Sequence, residues 1–172
     1  MCHIERYQAE IDVPTFVANY VDVPRFLKCC EVCPHYGTSW TCPPYDFDPL
    51  DFWNSYAGLT LFGSRIIPES KDENLIRALL QEKETLYREL LALERKTPGS
   101  CLLSAGCCEF CGDCARRSGE ACRVPERLRY SLESLGADVG KTAEELLGIR
   151  LQWYAEGQTP EYLVLVCGLL EK

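Results

Sequence analysis

The apolar positions of the chain form one long helical stripe and several short runs. From 76 to 93 they recur as Ile76, Leu79, Leu80, Leu86, Tyr87, Leu90 and Leu93, the three-and-four spacing of one helix face. Ser70-Lys71-Asp72-Glu73 just before them has the form of a capping box, and Pro98-Gly99 ends the pattern. Glu73 with Arg77 and Glu84 with Arg88 stand four apart in the favourable order. Together these signals predict an amphipathic helix over 71–96, lying on a sheet.

Shorter helices are expected after Asp48-Pro49, where a cap and a first-turn proline precede Leu50 to Trp53, and after Asp22, running through Pro24 and Leu27 to the first cysteines. Two more are expected at 142–147 and, briefly, at 131–136. Apolar and β-branched content predicts strands at 7–13, 59–67, 101–105, 149–154 and 162–170. Helices interleave with strands, so the class is α/β or α+β. The expected architecture is a single domain over 1–172, with a sheet of about five strands, the long helix and two cysteine-rich metal loops.

Composition changes the picture at one residue type, since 12 cysteines in 172 residues call for disulfides or metal. The first residues, Met1-Cys2-His3-Ile4-Glu5-Arg6, lack the basic and apolar regions of a secretory signal, and no apolar run is long enough to span a bilayer. The expected compartment is therefore the cytoplasm, where thiols stay reduced and clustered cysteines act as ligands or redox groups. A net charge of −8 argues against a nucleic-acid partner. One stretch runs the other way, with Arg116, Arg117, Arg123, Arg127 and Arg129 close together.

That basic stretch overlaps the stronger cysteine motif. Cys108, Cys111 and Cys114 form C-x2-C-x2-C, and Cys122 follows seven residues later. Bacterial ferredoxins use this spacing for three corners of a four-iron cubane, the fourth corner coming from elsewhere. Gly106, Gly112 and Gly119 let the backbone turn so that amides can face cluster sulfurs. Zinc competes, although it favours two separate C-x2-C pairs over three cysteines in one run. Ferredoxin motifs also place proline directly after the last cysteine, whereas Arg123 and Val124 here precede Pro125. The arginines would offset cluster charge, dock an acidic redox partner or anionic ligand, or simply be solvated.

The other motif is Cys30, Cys33 and Cys42, stiffened by Pro34, Pro43 and Pro44 and given a turn by Gly37. Three thiols make an incomplete site. The fourth ligand comes from Cys29, Cys2, Cys101, Cys107, His3 or His35, or one metal position stays open to substrate. Cys167, in an apolar run, reads as a buried small hydrophobe, and Cys101 reads the same way. Cys29 and Cys107 read as neighbours or alternates of the ligands beside them. No phosphate-binding glycine loop, Gly-x-Ser-x-Gly or His-Glu-x-x-His is present.

Taken together, Cys30 to Tyr45 and the stretch from Ala105 through Cys122 and Pro125 to Val139 resemble the two signatures of a family of predicted cysteine-rich metal-binding proteins, domain of unknown function 2284. The resemblance spans nearly the whole chain. It implies Cys30, Cys33, Cys42, Cys108, Cys111, Cys114 and Cys122 as a shared metal-binding set, with Cys29 open in place of Cys30, and it implies no particular reaction. The expected function is an iron–sulfur redox protein with one or two clusters, working with a redox partner protein or a small-molecule substrate. The alternatives are a zinc-stabilised binding module and a metal sensor or carrier.

Overall fold

The structure, a computed structural model, describes residues 2–70, 74–153 and 159–172. Its centre is a four-stranded antiparallel sheet in the order β1-β2-β4-β3. The strands are β1 (Cys2–Asp12), β2 (Gly58–Pro68), β3 (Cys101–Leu103) and β4 (Leu163–Glu171). β1 and β2 pair along their whole length, from Cys2 opposite Pro68 to Asp12 opposite Gly58. β4 lies between β2 and β3, so its side chains are buried on both faces, and that is why Leu163 to Leu170 reads as a continuous apolar run.

The sheet separates two cores. On one face, Leu59 and Leu61 of β2, Val166 and Leu170 of β4 and Leu103 of β3 pack against α1 (Val13–Tyr20), α3 (Pro49–Asn54) and α5 (Val139–Leu147). On the other, Ile66, Leu102, Leu165, Cys167 and Leu169 pack under α4 (Leu75–Lys96). A fifth described helix, α2 (Val23–Glu31), buries no residue fully and carries the first cysteines outward. Asp12, Asp22, Asp48 and Asp138 each cap a helix with a carboxylate that accepts a backbone N–H. Among the described residues, no helix is long and apolar enough to cross a membrane.

Several expectations need correction. The sheet has four strands among the described residues, not five. Residues 149–153 are irregular, and Tyr154 lies outside the described residues. Ile149 is nonetheless buried; its N–H closes onto Ala143 O (2.9 Å), and its side chain packs where Gly63 of β2 leaves room. It is apolar for packing, not for ladder pairing. Of the expected capping box at 70–73, residues 71–73 lie outside the described residues, and α4 starts at Leu75, where the Asn74 side chain accepts from Arg77 N (2.9 Å). Within α4 the buried stripe is Leu75, Leu86, Tyr87, Leu90 and Leu91, whereas Ile76, Leu80 and Leu93 are exposed. The stripe also holds a charge: Glu82 is buried against the sheet, taking hydrogen bonds from Arg6 Nε (3.0 Å) and Ser64 Oγ (2.7 Å). α1 begins where the strand over 7–13 was expected to end, and β1 starts five residues earlier than expected.

Candidate metal centre

The first cysteine group grows out of α2. Pro24 and the Asp22 cap start the helix, and Cys29 and Cys30 fall in its last turn. Cys29 is exposed, with its sulfur directed at Arg25 O (3.9 Å); Cys30 is half-buried. Successive turns follow, in which Cys33 N donates to Cys30 O (2.9 Å) and Tyr36 N to Cys33 O (3.0 Å). Gly37, at φ 67°, takes the left-handed conformation and donates to Pro43 O (2.8 Å), folding the strand of prolines back over the turn. Cys42 N closes onto Ser39 O (3.1 Å), and Tyr45 Oη donates to Thr41 O (2.8 Å).

The second group leaves the sheet after β3. Gly106 N donates to the Glu133 carboxylate (2.7 Å), and Lys83 of α4 donates to Cys107 O (2.8 Å). Cys108 N then donates to Thr41 Oγ1 (3.2 Å), a residue of the first group 67 positions away. Arg116 reaches in the same direction, donating to Ser39 O (2.8 Å) and to the carbonyls of Cys42 and Pro44, with its guanidinium 5.1 Å from the Trp40 ring centre. Trp40 Nε1 returns a bond to Glu120 O (3.0 Å). The two groups are therefore laced into one unit by charge-assisted and backbone hydrogen bonds.

Cys108, Cys111, Cys114 and Cys122 all line one cavity of ≈ 160 Å³, together with Cys107 and Thr41. Burial pushes the Cys108 thiol up, and the nearby charges of Cys111, Cys114 and Cys122 add to it. Burial takes Cys42 up to about 11, with Cys107 and Cys33 adding and the Thr41 and Ser39 hydroxyls opposing. Cys30 is raised by burial and then by Cys33 and the Glu133 carboxylate. Among the described residues, no group of three or more His, Cys, Asp or Glu side chains stands positioned to hold a metal ion. The cavity lining is nonetheless rich in thiols, with His35 and Glu109 beside them, and thiolate donors suit zinc or iron–sulfur centres. A second cavity of ≈ 400 Å³ opens on Cys107 and Cys108 from the α4 side, walled by Tyr87 and Phe110 with Lys83 and Arg127 beside them.

Other sequence candidates lie apart. His3 sits on β1 with Glu5 (3.7 Å), and Cys2 packs among the apolar side chains under α4. Cys101 is in β3 with its sulfur toward Leu102 O (3.8 Å), and Cys167 is buried in β4, where burial pushes it up to about 12. His35 lines the smaller cavity. Sequence reasoning missed Thr41 and Lys83, whose partners are far along the chain. Arg116 belonged to the stretch read as charge for a cluster, yet its hydrogen bonds go to carbonyls of the first loop.

The protein is mixed α/β, with five cysteines lining one cavity. The family described as predicted metal-binding protein (DUF2284) matches residues 18–170, and the chain belongs to that family. The family brings a metal as the expected cofactor and leaves its identity open. No curated protein and no solved structure matches the chain.

Proposed function

We propose that this chain is a cytoplasmic iron–sulfur redox protein with a four-iron cluster held by Cys108, Cys111, Cys114 and Cys122. The observation that supports the reading is that these four cysteines, spaced C-x2-C-x2-C-x7-C, all line one cavity. Once bound, the cluster would supply one-electron transfer. The chain's own part is to deliver four thiolates, exclude bulk water with Val124 and Leu128, and hold Arg117, paired with Asp113 (3.2 Å), beside them.

Cys30, Cys33 and Cys42 would hold a second centre, with three thiols leaving one position for substrate or a further ligand. The electrons would pass to a redox partner protein or a small molecule. The cavity beside Cys107 and Cys108, lined by Tyr87 and Phe110 with Arg127 and the Lys83–Glu109 ion pair (2.8 Å), supports the small-molecule route.

Zinc is the second reading, since four thiols also suit a structural zinc site. Anaerobic purification followed by visible absorption and reduction with dithionite separates the two. Brown protein that bleaches on reduction is expected. Colourless protein with stoichiometric zinc would overturn the redox reading in favour of a binding module, and rapidly exchangeable metal would favour a sensor or carrier.

A further inference from the structure

Between α4 and the loop after β3 lies the cavity of ≈ 400 Å³, a size found among small-molecule sites. Its apolar surface comes from Leu80, Tyr87 and Phe110. Leu80 and Phe110 are both exposed, so apolar area remains for a ligand to cover. The walls are tied to one another. Tyr87 Oη donates to Arg127 O (2.7 Å), the Tyr87 and Phe110 rings meet at 4.9 Å, and the Arg127 guanidinium lies 3.8 Å from the Phe110 ring centre.

Four charged side chains line this cavity, and three of them are matched. Lys83 pairs with Glu109 (2.8 Å) and also donates to Cys107 O (2.8 Å). Glu84 faces Arg88 one turn along α4 (4.0 Å). Arg127 is the exception. Its neighbours are neutral, the Phe110 ring and the Tyr87 phenol, and among the described residues no carboxylate pairs with it. Ser104, a buried residue, also lines the cavity, and its hydroxyl has no hydrogen-bond partner among the described residues. A half-buried cation with only aromatic company and a spare hydroxyl are the polar groups left to a ligand.

We propose that this cavity binds a small aromatic carboxylate, its ring against Leu80, Tyr87 and Phe110 and its carboxylate on Arg127. The charge count selects a single negative charge. A dianion such as phosphate would meet Glu84 and Glu109 with one unmatched cation to offset it, and a neutral ligand would leave that cation unmatched. The planar guanidinium also suits the two oxygens of a carboxylate. The rings select an aromatic body over an alkyl chain, since aromatic pairs gain beyond the area they bury. Cys107, Cys108 and Glu109 line both this cavity and that of the Cys108 set, so the bound molecule would border a cysteine of the proposed cluster. This names the chemical class of the small molecule invoked above. It rests on the iron–sulfur reading for what the ligand does there, and not for whether it binds.

The test is equilibrium dialysis of the purified, metal-loaded chain against 2-naphthoate, with 2-naphthamide, hexanoate and inorganic phosphate as comparison probes. One 2-naphthoate per chain is expected to bind saturably. The amide lacks the charge and hexanoate lacks the ring, so each is expected to bind at least about tenfold more weakly. Arg127→Gln is expected to weaken 2-naphthoate about tenfold or more while leaving the amide unchanged, and Leu80→Glu, at an exposed position, to abolish binding by setting a carboxylate in the cavity. No saturable binding of 2-naphthoate overturns the proposal. So does equal binding of the amide or of hexanoate, tighter binding of phosphate, or an affinity that Arg127→Gln leaves intact. The four probes on the unaltered chain need no variant to fold. Metal and sulfide measured on the same sample keep the two readings apart. Binding to a zinc-loaded chain upholds the site and removes only its redox role, whereas an iron–sulfur chain that does not bind 2-naphthoate overturns the site and leaves the cluster standing.

Discussion

The sheet and the cysteine loops are held together by different forces. β2 and β4 bury Leu59, Leu61, Val166 and Leu170 on one face and Ile66, Leu165 and Leu169 on the other, so their stability is proportional to area taken from water. The loops bury few large side chains. They rely on directional bonds from Arg116, Trp40, Lys83 and Thr41, and on one tight backbone approach. A core of the first kind folds without a cofactor. A lattice of the second kind is marginal alone and gains most from a metal that ties its thiols together.

The largest expected effect lies in the core. Leu61→Ala, at a fully buried position of β2, should cost about 3–5 kcal/mol in denaturant unfolding, equally in metal-loaded and metal-stripped protein. A cost that depended on metal would blur the division between the two regions.

The next effect sits where the regions meet. Gly136, at φ +89°, comes so close to α2 that an added Cβ would lie 2.7 Å from Val23 Cα, and its carbonyl accepts from Asp22 N (2.8 Å). Gly136→Ala should cost about 2–4 kcal/mol and shift α2 with its cysteines, lowering metal content while far-UV circular dichroism keeps its shape. Unchanged metal content would show that α2 binds metal independently of this docking.

Arg116→Ala removes the donor to three carbonyls of the first loop and should cost about 1–3 kcal/mol. In hydrogen exchange, amides of 104–124 should lose protection while β2 and β4 keep theirs. Uniform loss across the chain would mean that loops and sheet unfold as one. The smallest effect is expected for Cys167→Ala, a buried thiol acting as a small hydrophobe, at about 1 kcal/mol with no change in metal count. Lost metal there would bring β4 into the site.

Much of the sheet side was legible because its signals are local. The caps at Asp22 and Asp48, the stop at Pro98-Gly99 and the apolar runs of β2 and β4 all act over a few residues. Helix α1 was hidden because Ile11 and Val13 continue the alternation of β1 into its first turn. Ile149 and Leu151 read as a strand because burial without a ladder leaves the same apolar trace. Leu80 looked like stripe but borders the cavity beside Phe110. In the site, cysteine spacing marked out two loops, which the structure brings into contact. The lacing between loops was invisible, since Thr41 and Cys108, or Arg116 and Ser39, meet across 67 and 77 positions, with only hydroxyl and carbonyl groups to announce them.

The central claim is that Cys108, Cys111, Cys114 and Cys122 hold a four-iron cluster, and it is tested most directly by iron and acid-labile sulfide in anaerobically purified Cys114→Ala beside the unaltered chain. The account predicts about four irons and four sulfides for each cluster in the unaltered chain, and the loss of one such set in the variant. Sulfide absent from the unaltered chain, or the same iron in both, would contradict it.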